Sequence, residues 1–378
     1  MKTKILAALI AMATLLVSCS LEDQQLKTSY LELPATLDQY GLAVNDQIPT
    51  LGRVLFYDNQ LSINNSVSCA SCHKQSLAFA DNARFSKGFE NRVTSRNSMP
   101  IQNLNAFNSG FFPGNDFIDS SAVNIPRDGG GIIITSGPTL FWDGREHNLR
   151  SMVLRPISNH VEMGISDLNK LADKLETVPY YKDLFSKAYG TDEITVERIS
   201  DALSYFLESI SSNKTKFDKS RFGEAQLSAL ERQGQLLFTD TYDCNACHQV
   251  QDPVGYVFAG TFANIGLDPV YADGGLEKVT NNSFDAGKFK IPSLRNVALT
   301  APYMHDGRFA SLDSVIEHYS TGLEDNANLD FRLRGNTGAP LRLNISQNDK
   351  RAIIAFLNTL TDYTMITDPK FSNPFKAK

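Results

Sequence analysis

The sequence predicts a mainly α protein built as two tandem units joined by long loops. Three observations predict it. Apolar residues recur at helical spacing in several stretches, whereas period-2 strand patterns are scarce. The two halves repeat each other in order and spacing. Each half carries one short cysteine and histidine run of the same form, Cys69-Ala-Ser-Cys72-His73 and Cys244-Asn-Ala-Cys247-His248.

The helical stripes are specific. Ile165, Leu168, Leu171, Ala172, Leu175 and Val178 form one, and Ile199, Ala202, Leu203, Phe206 and Ile210 another. Ser346-Gln-Asn-Asp349 reads as a capping box opening a helix through Leu360. Ser211 to Glu224 is a polar stretch linking the halves.

Each C-x-x-C-H run has the spacing that attaches c-type haem. Two thiols bond to the porphyrin vinyl groups, and the histidine supplies one axial iron ligand. Two disulfides, or a zinc site of C-x-x-C pairs, also use four cysteines, but neither needs a histidine after each pair. The fold expected is therefore two tandem cytochrome c-like haem domains with long loops, holding two covalently bound haem c groups.

The duplication fixes the register. Gly52-Arg-Val-Leu-Phe56 precedes the first motif and Gly234-Gln-Leu-Leu-Phe238 the second. Asp143, Gly144, Arg145, Leu149 and Ser151 match Asp306, Gly307, Arg308, Leu312 and Ser314 at a constant spacing of 163. Arg96-Asn97 and Arg295-Asn296 form another pair. The first half carries an extra segment near 109–138, rich in Gly, Asn, Asp and Ser, which reads as a loop, either a lid or an inert insertion. The domains expected are 41–212 and 213–378.

The N-terminus reads as targeting sequence. Lys2 and Lys4 precede an apolar run from Ile5 to Val17, too short to span a bilayer. Leu16-Val17-Ser18-Cys19 resembles a bacterial lipobox, so 1–19 is expected to be a lipoprotein signal peptide, Cys19 the lipidated residue and 20–40 a polar tether. The alternative is an ordinary signal peptide with an incidental cysteine. Export, to the periplasm or cell envelope, fits haem attachment. The membrane is then reached through the lipid anchor alone.

Composition bounds the partners. The 378 residues are 42% hydrophobic and 21% charged, with net charge -6. Nucleic-acid binding wants a basic face, and none is suggested.

The ligand opposite each histidine decides the chemistry, since an open iron binds peroxide and a filled one moves electrons. Leu312, Val315, Ile316 and Tyr319 share one helical face, so Tyr319 points inward and His318 elsewhere. Spacing alone favours Tyr319 as a core tyrosine over a ligand. One repeat earlier its counterpart is Pro156, which has no donor side chain. The first haem is then open where the second is filled.

These features together resemble the bacterial diheme cytochrome c peroxidase family, including its MauG branch. The likeness runs from Leu51 to the C-terminus through Phe141-Trp-Asp-Gly-Arg145, Val161-Glu-Met163, Ile291-Pro-Ser-Leu-Arg-Asn296 and Thr300-Ala-Pro-Tyr-Met-His-Asp-Gly-Arg308. The resemblance implies that the haem on His73 is peroxidatic and the haem on His248 takes electrons from a donor, a small cytochrome or cupredoxin. It implies that Trp142 relays electrons between them and Glu162 moves a proton between the peroxide oxygens. It further implies a calcium ion held by the Asn97 side chain and the Thr300 and Pro302 carbonyls, and allows a homodimer.

Three positions depart from the family. Phe89 stands where many members carry a histidine that blocks the first iron, and Met152 where a distal glutamine is usual. Tyr319 replaces the methionine opposite the second haem, as in the MauG branch, with Met304 the other candidate ligand. His147 reads as solvated, His160 as a possible edge of the pocket and His305 as structural. Hydrogen peroxide reduction is the leading expectation. Oxidation of a protein or organic substrate is the alternative, and a tethered electron carrier the non-enzymatic one.

Overall fold

The structure is a computed structural model that describes residues 47–104, 139–250 and 262–375. The expected signal peptide, Cys19, the tether and the 109–138 insertion lie outside the described residues.

The first half holds helices α1 (Gln47–Tyr57), α2 (Cys69–Cys72), α3 (Leu149–Ser158), α4 (Leu168–Glu176), α5 (Tyr181–Tyr189) and α6 (Val196–Ser209). The second holds α7 (Lys216–Arg221), α8 (Ala229–Leu236), α9 (Glu277–Thr280), α10 (Leu312–Thr321) and α11 (Gln347–Asn358). Two short strands, β1 (Phe262–Ala263) and β2 (Phe289–Lys290), pair antiparallel.

The duplication is visible in the packing. A Cβ on Gly52 would lie 1.9 Å from the Ala202 carbonyl oxygen, and one on Gly234 1.8 Å from that of Ala352. So α1 crosses α6, and α8 crosses α11, at glycines that let two backbones touch. Four residues on, Phe56 packs on Phe206 (5.2 Å between ring centres) and Phe238 on Phe356 (5.5 Å). These aromatic pairs anchor two separate apolar cores.

Helices α3 and α10 keep the repeat spacing to the residue. Asn148 and Ser311 cap their first turns, and both helices run ten residues. The turns before them repeat as well: Leu140 bridges Glu146, and Tyr303 bridges Phe309.

Some elements differ from the sequence pattern. Asp167 caps α4 through the Asn169 N–H, so the helix starts at Leu168, and Ile165 and Val178 are buried outside it. Ser346 caps α11, but the Asp349 carboxylate accepts from the Tyr242 hydroxyl (3.0 Å) rather than closing the box, and the helix ends at Asn358. The stretch from 211 to 224 is an ordered joint. Within it Thr215 and Asp218 form a capping box, Phe217 is buried, and Asp218 makes a buried bidentate pair with Arg295 (2.7 Å to each oxygen).

The chain's end returns to the first half. Met365 and Phe371 join its core. Tyr57 donates to the Phe371 carbonyl (2.6 Å), the buried Arg53 to that of Ser372 (2.6 Å), and Gln75 to those of Met365 and Asp368 (3.1 and 2.8 Å).

Candidate haem sites and the contact between the halves

In the first half, Cys69 and Cys72 span the single turn of α2, with His73 as its C-cap. Ala78 and Phe79 both take left-handed conformations (φ 53° and 59°), which turn the chain back over the histidine. His73 Nδ1 then donates to the Phe79 carbonyl at 2.8 Å. That bond fixes the tautomer and leaves Nε2 free to bind a metal. All four cysteines of the two motifs are free thiols. Burial pushes the Cys69 thiol up to about 12 and that of Cys72 to about 11.

A cavity of about 540 Å³ opens over these residues, a size suited to a cofactor. Its wall includes Trp142, Arg145, Met152, Pro156, Glu162 and Lys290. Free thiols, a histidine presenting Nε2 and this volume fit a covalently attached haem. No group of three or more His, Cys, Asp or Glu converges among the described residues.

Glu162 is placed by its loop. Asn159 donates to its carboxylate (2.8 Å), and the Glu162 carbonyl accepts from the Phe89 N–H (2.9 Å). A Cβ on Gly88 would meet the Val161 carbonyl oxygen at 2.0 Å, so only glycine admits this approach. Burial raises the Glu162 pKa, opposed by Arg145 and Asn159. Phe89 is buried, with its ring against Gly164. Met152 makes its part of the cavity wall apolar.

The second motif repeats the histidine geometry. His248 Nδ1 donates to the Pro292 carbonyl at 3.0 Å, and Cys244 precedes it on one turn. Burial first, then the Cys247 and Cys244 thiols, raise the Tyr319 phenol. Its hydroxyl has no hydrogen-bond partner among the described residues. The neighbouring His318 is buried and bonds the Ile265 carbonyl through Nε2 (2.8 Å), away from the stripe as expected. Met304 takes φ 75° on a turn whose repeat counterpart is Phe141 (φ 65°).

Trp142 lies where the halves meet. Its indole N–H donates to the Asn97 carbonyl (2.8 Å), and its own carbonyl accepts from the Lys290 N–H (2.8 Å). The Asn97 N–H donates to the His305 carbonyl (2.7 Å). The Asn97 amide nitrogen bonds the Ala83 and Arg84 carbonyls (3.1 and 3.2 Å). This brings Asn97 against the segment that holds Thr300 and Pro302, the other expected calcium ligands. His305 stacks on Phe289 at 3.7 Å. Arg96 bridges the halves, pairing with Asp143 (2.6 Å) and Asp273 (2.6 and 2.9 Å). His147 and His160 are exposed, and His160 is absent from the cavity wall.

The sequence reading missed Asn159 and Lys290. Asn159 stood three residues before Glu162, a spacing that could have flagged it. Lys290 carried no local signal, because its contacts are with residues about 150 positions away in the chain.

The fold and the two attachment sites define a two-haem c-type protein whose halves share one plan. The sequence matches the family described as di-haem cytochrome c peroxidase over residues 46–226. The methylamine utilization protein MauG of Methylorubrum extorquens is 32% identical over 315 residues, covering 82% of this chain and 77% of that protein. The cytochrome c551 peroxidase of Nitrosomonas europaea is 30% identical, covering 84% and 80%. A solved MauG-like protein associated with microbial copper homeostasis superposes with TM-score 0.70 at 30% identity, over 91% of this chain and 96% of that one. The chain belongs to the di-haem cytochrome c peroxidase family and is an oxidoreductase of that family.

Proposed function

We propose that this protein reduces hydrogen peroxide to water at the His73 site, with electrons from a small cytochrome or cupredoxin entering at the His248 site and passing Trp142. The observation that carries this reading is the asymmetry of two equivalent helices. Helix α3 puts Pro156 on the first cavity wall, whereas the equivalent place on α10 holds Tyr319, a phenol without a hydrogen-bond partner among the described residues, whose pKa the Cys247 and Cys244 thiols help to raise. When bound, the haems supply an open iron at the first site and a capped, electron-accepting iron at the second.

The side chains then have distinct tasks. Glu162, held by Asn159, accepts the proton of one peroxide oxygen and returns it to the other, so that water leaves. Its raised pKa brings donor and acceptor forms closer in energy than for an exposed glutamate. Trp142 touches both the first cavity and the second half's β2, which suits a relay. Tyr319 would hold the second haem's iron as a hard oxygen ligand. Asn97, Thr300 and Pro302 offer oxygen donors only, which suits calcium. Lipidation at Cys19 would hold the exported protein at a membrane.

The test is direct. Purified haem-loaded protein, given a reduced small cytochrome and peroxide, oxidises the cytochrome. Failure with every cytochrome and small donor tried ends the proposal.

A second reading has its own support. Phe89 and Tyr319 replace the blocking histidine and the methionine, and relatives 28–32% identical bear the MauG name. Oxidation of a protein or organic substrate, leaving a radical or cross-linked product that the Trp142→Phe variant fails to form, would select it.

A further inference from the structure

Lys290 reaches the first cavity from the second half of the chain. Strand β2 delivers it. The Lys290 backbone N–H donates to the Trp142 carbonyl (2.8 Å), and its ammonium donates to the Thr139 carbonyl (2.6 Å). The two bonds grip the turn that leads into Trp142 from both ends.

Its charge is unanswered among the described residues. The other cations on the wall already have partners or solvent. Arg96 is bound by Asp143 and Asp273. Arg145 pairs with Asp143 (2.9 Å) and lies 3.8 Å over the Phe141 ring. Lys87 is exposed. Of the acids on the wall, Asp143 is shared by the two arginines and Glu162 is bonded to Asn159. Among the described residues of the wall, Lys290 alone is a half-buried cation with a neutral carbonyl as its hydrogen-bond partner. Burial lowers its pKa to about 8. A desolvated ammonium is costly unless an anion meets it.

We propose that Lys290 binds a carboxylate of the group seated in this cavity, a propionate of the first haem. The second half then supplies the counter-charge for the first half's cofactor. The inference rests on the first cavity being a haem site. A cation at that place favours the reduced, more negative state of the group beside it.

Spectroelectrochemical titration of the haem-loaded Lys290→Gln and Lys290→Arg variants tests this. In Lys290→Gln the one-electron equilibrium of the first haem moves toward the oxidised form by about threefold or more, and that of the second haem stays. Lys290→Arg keeps the wild-type equilibrium. A smaller shift in Lys290→Gln, or an equal shift at both haems, overturns the proposal. Should Lys290→Gln not fold, a crystal structure of the wild-type holoenzyme decides. Lys290 Nζ within hydrogen-bond reach of a propionate oxygen supports it, and Nζ out of reach overturns it. Mass spectrometry finding no porphyrin on Cys69 and Cys72 would instead sink the haem reading of the cavity.

Discussion

Trp142 and His305 occupy the same place in the two repeats, and one residue ties them together. Asn97 accepts from the Trp142 indole (2.8 Å) and donates to the His305 carbonyl (2.7 Å). The contact between the halves is therefore built from equivalent turns facing each other. One presents an indole to the first cavity, and the other an imidazole stacked on Phe289.

Trp142→Phe removes the donor to the Asn97 carbonyl. An unpaired, largely buried carbonyl costs about 1–3 kcal/mol, read as a lower melting temperature of the haem-loaded protein. Electron delivery to the first haem from a donor-reduced second haem slows in stopped-flow measurement, while cyanide binding at the first site is kept.

Glu162→Gln keeps the shape and the Asn159 contact but cannot carry the proton. Peroxide-driven turnover falls by roughly 100- to 10,000-fold with haem content unchanged. In the wild type the ionised carboxylate starts the transfer. Burial raises its pKa, so kcat/KM falls on acidification through a pKa above the ordinary glutamate range. A pH profile of initial rates locates that limb, and Glu162→Gln lacks it.

Gly52→Ala and Gly234→Ala each drive a methyl into a helix carbonyl, at 1.9 and 1.8 Å. Each destabilises by about 1–3 kcal/mol or more through overpacking. Calorimetry on the two variants measures similar losses, because the two crossings are built alike.

Asp218 and Arg295 form the buried pair at the joint between the halves. Burial by itself would raise the Asp218 pKa, but the Arg295 guanidinium outweighs it and holds the carboxyl below its ordinary value. The folded pKa is thus depressed. The stabilisation is complete above the unfolded value of about 3.9 and is lost as pH falls through the lower folded value. Asp218→Asn leaves a buried guanidinium unpaired and costs about 3–5 kcal/mol. Denaturation at neutral pH measures the cost, and acid titration shows less loss of stability in the variant.

With Tyr319 as the proposed oxygen ligand of the second haem, Tyr319→Met would exchange it for a soft thioether. The potential of the second haem rises, and the first is unaffected. Potentiometric titration with optical readout separates the two haems.

The attachment motifs and the repeat were legible in the sequence because covalent chemistry fixes their spacing. The apolar stripe of Leu312, Val315, Ile316 and Tyr319 marked α10, and the spacing of 163 carried over to α3, but the caps at Asn148 and Ser311 came from the structure. The return of residues 365–372 onto the first core was not legible. Those contacts join Arg53, Tyr57 and Gln75 to residues about 300 positions away. Lys290 was hidden for the same reason: its role is set by Thr139 and Trp142, not by its neighbours in the chain. The start of α4 differed because Asp167 caps it at Leu168, and the Ser346 box stayed open because Asp349 accepts from Tyr242, partners that a periodic pattern does not record.

The ferric protein with both haems attached, titrated with cyanide and followed by electron paramagnetic resonance, tests the central asymmetry most directly. The account predicts one high-spin and one low-spin signal in equal amount, with cyanide converting the high-spin signal alone. Two low-spin signals that cyanide leaves unchanged would contradict it.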